Sequence, residues 1–244
     1  MSWSIAVLIA VSGLAAGISG TVTGLGSVFS YPALLAAGIP PAAANVTNTF
    51  SLAIGTVAAV PSSRRELAGQ WGAARALGLA CVLGSALGAA LVLLTPSGAF
   101  ERVVPFLVGG AALAILAPRP AVHRVRTWPA VLGVFAVAVY GGYFAAAAGV
   151  LVLAVLLATR SGSLVRLNAL KNLLTLVADV VAAVAFALFG HIVWLAVPPL
   201  VFGLLVGSWL GPVIARVLPE RLLRYGIALA GAGLAVKLGF DAFG

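Results

Sequence analysis

The sequence predicts an all-α polytopic membrane protein made of two inverted repeats, each of about four to five helical segments, with glycine-broken or re-entrant helices. Three observations carry this. Of 244 residues, 63% are apolar and only 8% charged, against about 25% charged in a soluble globule. Residues 1–63 contain no Asp, Glu, Lys or Arg. As helix, at about 1.5 Å per residue, that length crosses a bilayer core of about 30 Å roughly three times. Finally, the chain repeats itself: Gly20 to Leu35 lies over Gly142 to Leu157 at an offset of 122 residues.

Apolar runs bounded by turn or charge signals fall at 3–37, 41–61, 71–95, 99–117, 129–159, 164–189, 192–215 and 219–241. Gly38-Ile39-Pro40-Pro41, Thr95-Pro96-Ser97-Gly98 and Leu218-Pro219-Glu220 each join a stop to a helix-starting proline. Trp3, Trp71, Trp128 and Trp194 stand near the starts of runs, where indoles anchor at the headgroups. Gly84-x3-Gly88 and Gly203-x3-Gly207-x3-Gly211 predict close helix contacts. No hydrophilic stretch is long enough for a soluble domain, so residues 1–244 form one transmembrane domain, with repeat 1 over about 3–118 and repeat 2 over about 129–241. The start, Met1-Ser2-Trp3-Ser4, lacks a basic region, so the first run reads as a retained span.

Runs 3–37 and 129–159 are too long for one pass, and each has a small-residue middle: Gly17 to Gly26, and Gly141-Gly142 followed by Ala145 to Gly149. Such density predicts a break with exposed backbone at Gly20, Gly24 and Gly26 and at Gly142 and Gly149. The basic residues test orientation. If all eight runs cross once, they divide seven against six. If each broken run goes out and back, the division is eleven against two, with only Arg102 and Lys237 on the poor side. That bias makes the halves inverted. Whether the broken runs cross or re-enter stays open.

Past a one-residue gap, Asn45-Val46-Thr47-Asn48-Thr49 lies over Asn168-Ala169-Leu170-Lys171-Asn172. Asn45, Asn48 and Thr49 share a helix side by their i, i+3, i+4 spacing, and Asn168, Lys171 and Asn172 repeat it. Amides, a hydroxyl and an ammonium together suit an oxyanion. The predicted substrate-binding set is therefore Asn45, Thr47, Asn48, Thr49, Asn168, Lys171 and Asn172. Lys171 lies roughly 10 Å into its run, where it can snorkel; the cost of an intramembrane lysine, about 2.5–3.5 kcal/mol, favours function. Asp179, the one acid placed inside a span, sits about 80° around the helix from Lys171. Ion pairing with Lys171, proton carriage and a helix-to-helix hydrogen bond are all open to it, and pairing is favoured.

Other classes fare worse. The charge of +9 lies in short gaps between runs, with no aromatic interleaving, so no nucleic-acid partner is expected. One cysteine, two histidines and five acids predict no metal, no cofactor and no carboxylate or His cluster for an enzyme. Gly17-Ile18-Ser19-Gly20 matches the short string of intramembrane serine proteases, with His191 as the imaginable base, but four residues in a glycine-rich chain are a weak motif. The alternatives retained are a channel-like anion protein and, behind it, an intramembrane enzyme.

The glycine-rich break leading to Pro32, Asn45-Val46-Thr47-Asn48-Thr49, Arg64 to Gln70, Leu167 to Asn172, the Phe186 to Trp194 segment and the Gly207-x3-Gly211 to Leu218-Pro219 ending, taken in order, resemble the sulfite exporter TauE/SafE family of membrane transporters. The resemblance covers about residues 13–240. It implies a secondary transporter exporting a small anion (sulfite, a sulfonate or a related organic anion) across the cytoplasmic membrane, in contact with the lipid bilayer, with a homodimer left open. The chain departs from the family pattern at Ser27, at Ala145–Ala148 beside a lone Gly149, and at Asp179, where an amide or small residue is expected. No proton-coupling role therefore carries over by resemblance.

Overall fold

The computed structural model describes residues 2–96, 98–100, 102, 103, 106 and 127–214. The predicted runs 99–117 (nearly all of it) and 219–241, and the basic residues Arg119, Arg124, Arg126, Arg216, Arg221, Arg224 and Lys237, lie outside them. Among the described residues the chain is all helical. Five helical segments are long and apolar enough to cross a membrane: Trp3–Thr23, Pro41–Ser62, Trp71–Leu94, Leu164–Phe189 and Val197–Ile214.

The first long run divides as its glycines predict. Helix α1 spans Trp3–Thr23 and ends on Gly24, whose φ of 87° is left-handed and whose N–H closes on the carbonyls of Gly20 and Ser19. Helix α2, Ser27–Ala36, follows at once. The later long run divides in the same way into α7, Thr127–Tyr143, and α8, Ala148–Thr159. Its turn is made by Ala147 at φ 59°. An L-residue bears a cost of about 1–2 kcal/mol there that glycine escapes.

Between these pairs, α3 spans Pro41–Gly55 and starts on the Pro40-Pro41 pair. A 3₁₀ turn over Thr56–Ala58 leads into α4, Ala59–Ser62. Pro61 explains the tightening, because its ring removes a donor and crowds the carbonyl four residues back. The short α5, Arg64–Leu67, precedes α6, Trp71–Leu94. In the second half α9 runs unbroken over Leu164–Phe189, capped by the Ser163 hydroxyl, and α10 covers Val197–Ile214.

The packing exchanges elements between halves. Helix α1 lies along α10, and α6 along α7, while α9 packs on α3, α6 and α8. Small residues make both long contacts possible. A Cβ on Gly17 would stand 2.6 Å from the Leu204 carbonyl oxygen and from the Ser208 nitrogen, and one on Gly203 would meet the Ala10 carbonyl. On the other pair, Gly84 and Gly88 face the backbone of Phe135 and Val139, and Gly142 faces Ser85. Backbones this close trade side-chain volume for dispersion contact, the driving term left when lipid is as apolar as leucine. Trp3, Trp71, Trp128 and Trp194 are all exposed at helix starts, as interfacial anchors require.

Candidate functional site

The two breaks meet. A Cβ on Gly149 would stand 2.7 Å from the Gly24 Cα, and one on Gly24 would strike the Gly149 backbone. Only a residue without a side chain lets two chain reversals touch at this depth. Beside the junction is a cavity of about 50 Å³, room for a few waters or a small anion. Its walls are Gly20, Thr21, Gly24, Gly26 and Ser27 of the first break, Ala145, Ala148 and Gly149 of the second, Leu52 of α3 with Thr56 and Ala59 just after it, and Asn172, Thr175 and Asp179 of α9.

Several consequences follow from where these elements begin and end. Helices α2 and α8, of 10 and 12 residues, both start at the cavity wall. Most of their first N–H groups are taken up within the breaks, Val28 and Phe29 by the Leu25 and Gly26 carbonyls and Ala148 and Val150 by those of Ala145 and Ala147. The N–H groups of Ser27 and Gly149 have no backbone acceptor among the described residues and lie at the positive ends of the helix dipoles. Asn172, Thr175 and Asp179 share one face of α9 by their i, i+3, i+7 spacing. Asn172 is buried, and its Nδ2 has no hydrogen-bond partner among the described residues.

The carbonyl ends of the broken helices are held by the opposite half. Asn168 donates from Nδ2 to the Thr21 oxygen at 2.9 Å, and Asn45 donates to the Tyr143 oxygen at 2.9 Å. These are repeat-equivalent bonds, since Asn45 lies over Asn168 and Thr21 over Tyr143. Each amide satisfies one of the last carbonyls that a helix leaves without a partner. Lys171, fully buried, adds a donation to the Gly20 oxygen at 2.9 Å and to Thr21 at 3.3 Å. A cation at a helix C-terminus is favoured by the dipole.

The remaining predicted residues are spread around this frame. Asn48 Nδ2 donates to Ser27 Oγ at 3.0 Å, while its Oδ1 has no partner among the described residues. Thr47 Oγ1 accepts from the Val193 N–H. Thr49 is buried on α3. Of the predicted set, then, Asn172, Gly20, Gly24, Gly26, Gly149 and Asp179 line the cavity. Asn45, Asn48, Asn168 and Lys171 brace its walls from behind, and Gly142 serves the contact with α6. Lys171 and Asp179 form no salt bridge among the described residues; the ammonium is committed to carbonyls and the carboxylate faces the cavity.

This architecture has relatives. The family model described as Sulfite exporter TauE/SafE matches residues 9–238. The chain belongs to that family.

A TauE/SafE chain is a multi-pass protein of the cell membrane, consistent with the five long apolar segments. It is also similar to the probable membrane transporter protein YfcA of Escherichia coli, found in three strains: 26% identical over 237 residues, covering 94% of this chain and 87% of the relative. This chain is accordingly a membrane transporter. No solved structure matches it.

Sequence reasoning passed over Ser27, Thr56 and Thr175 as cavity residues. A signal existed, because the 123-residue offset that sets Asn45 over Asn168 also sets Leu52 over Thr175 and Thr56 over Asp179. The protease-like string does not form a dyad. Ser19 is buried with its hydroxyl on the Ala16 and Leu25 carbonyls, and His191 is exposed beyond the end of α9. Among the described residues no three His, Cys, Asp or Glu side chains gather as metal ligands would.

Proposed function

We propose that this transporter exports a small anion (sulfite, a sulfonate or a related organic anion) as a secondary carrier, and that the cavity at the crossing of the two breaks is where the anion binds. One observation carries the reading: the starts of two helices, with the Ser27 and Gly149 N–H groups, and Asn172, whose amide nitrogen has no partner among the described residues, all line one small cavity. Preorganised N–H donors in a water-poor site suit an anion without requiring a full cation in contact with it. Ser27 adds a hydroxyl that accepts from Asn48 and keeps its own proton to donate, whereas those of Thr56 and Thr175 donate to the carbonyls of Leu52 and of Lys171 and Asn172. Lys171 stands behind the Gly20 and Thr21 carbonyls and contributes positive potential, while Asn45, Asn48, Thr49 and Asn168 set the position of the walls.

We read the two halves as inverted repeats that rock about this cavity. The support is the matched pair of crosswise amide caps, together with the eleven-to-two division of basic residues. In a Cys81→Ala background, cysteines placed at Arg64 and Arg160 should be labelled by impermeant reagents from the same, cytoplasmic, side. Labelling from opposite sides would remove the inverted reading.

The functional test is flux. Proteoliposomes holding the full chain should move radiolabelled sulfite or small sulfonates against a panel of carboxylates, saturably and in response to an imposed ion gradient. Saturable but gradient-indifferent flux points to a channel, and absence of anion flux from well-folded protein sinks the proposal.

A further inference from the structure

Among the described residues the cavity wall holds one ionisable group, the carboxyl of Asp179. It makes no hydrogen bond or ion pair with any described residue. The other charged and titratable groups around it are accounted for. Lys171, two turns away on the same helix, is engaged with Gly20 and Thr21. From α6 the Cys81 thiol is the group in electrostatic contact with Asp179. From α7 the Tyr140 hydroxyl donates to the Ala146 oxygen. The remaining lining residues, from the two breaks and from α3 with its extension, carry no titratable side chain.

An anion and an ionised carboxylate therefore compete for the same enclosure. Like charges at such range, with the Lys171 ammonium turned to the Gly20 and Thr21 carbonyls and no cation between them, disfavour double ionisation. A metal cation would also relieve the repulsion, but Asp179 has no second carboxylate among the lining residues to help hold one. A proton needs no second ligand. Resting on the anion reading above, we infer that Asp179 makes this site proton-linked: the anion is held when the Asp179 carboxyl is protonated, so anion and proton are carried together. The carboxylate takes a proton from the aqueous phase on the loading side. It forms one O–H bond that can donate to the anion, and it returns that proton to water when the anion leaves. In the first half the repeat-equivalent position is Thr56, so the linkage resides in one half only.

The probe is methanesulfonate, which stays a monoanion through the neutral range and so brings no titration of its own. Its Kd is measured by calorimetry on the full chain in detergent from about pH 5 to about pH 9. For the wild type the Kd should rise with pH, approaching tenfold per unit where the empty carboxyl is ionised. For Asp179→Asn it should be flat and close to the wild-type value at low pH. Titrations of wild type at high pH, in buffers of different ionisation enthalpy, should show about one proton taken up per anion bound; this readout stands even if the variant fails to fold. A pH-independent Kd in wild type, a Kd that follows sodium instead of pH, or zero proton uptake would overturn the inference and leave the anion site intact. Absence of binding by folded wild type at every pH would instead overturn the anion reading, and this inference with it.

Discussion

The two halves build the same frame and furnish it differently. In each, a helix breaks at small residues, and one of its last carbonyls accepts from an asparagine of the other half: Thr21 from Asn168, Tyr143 from Asn45. Beyond that the halves diverge. Where the second half has Lys171, the first has Asn48, which turns away from the helix end to Ser27. Where the second has Asp179 on an unbroken α9, the first has Thr56 at a 3₁₀ turn forced by Pro61, whose repeat-equivalent is Val184. The shared bonds fix where the breaks meet. The charges, both from the second half, give the meeting point its chemistry.

The largest effect should come from attacking what the halves share. Gly24→Ala places a Cβ in the Gly149 backbone at a φ of 87°. Left-handed strain and overpacking together should cost roughly 2–6 kcal/mol. Thermal melts in detergent should show a drop of many degrees or loss of folded protein, and an unchanged melting temperature would break the picture of two breaks in contact.

Next comes what only the second half has. Lys171→Ala removes a charged donor from two carbonyls, each such bond being worth about 1.5–3 kcal/mol. It also removes positive potential behind the cavity, so methanesulfonate affinity should fall about tenfold or more. Lys171→Arg should restore charge but not fit, because the guanidinium is a larger planar fork. Asn48→Ala, at the equivalent position, removes one neutral bond worth about 0.5–1.5 kcal/mol. Calorimetry and melts on the three variants would sharpen the comparison, and equal effects of Lys171→Ala and Asn48→Ala would erase it.

The smallest effect separates the two caps. After Asn168→Ala, Lys171 still reaches the Thr21 oxygen, so the loss should be about 0.5–1.5 kcal/mol. After Asn45→Ala, the Tyr143 oxygen has no second side-chain donor among the described residues, and leaving it unsatisfied should cost about 1–3 kcal/mol. Denaturation midpoints measured side by side should rank Asn45→Ala as the more damaging. The reverse order would mean that Lys171 does not share the cap.

Much of this frame was legible in the chain itself. Charge-free length and glycine density marked the five long described segments and both breaks, because hydrophobic transfer and the missing Cβ act locally. The repeat offset picked out Asn45 and Asn168, but not what they bind, since a side chain's partner depends on how helices cross. For the same reason Lys171 read as a group facing the anion, when its ammonium is bonded to a helix end. Thr56 was hidden because its place on the cavity wall goes with the 3₁₀ turn it starts, ahead of Pro61. Asp179 read as a partner for Lys171, although their helix positions differ by about 80°, and that angle already put the two on different faces.

The most direct test of the account is at Asn172, a cavity-wall residue whose amide nitrogen is buried and has no partner among the described residues. Replacing a buried, unsatisfied amide with an apolar side chain of similar shape is neutral or stabilising for the fold. Asn172→Leu should therefore keep or raise the melting temperature while weakening methanesulfonate binding by about a hundredfold, the worth of roughly 2.7 kcal/mol in lost donor and lost space. Opposite signs in stability and affinity are what a residue kept for its ligand predicts. Unchanged affinity in a well-folded Asn172→Leu protein would contradict the account and move the anion site away from the crossing of the two breaks.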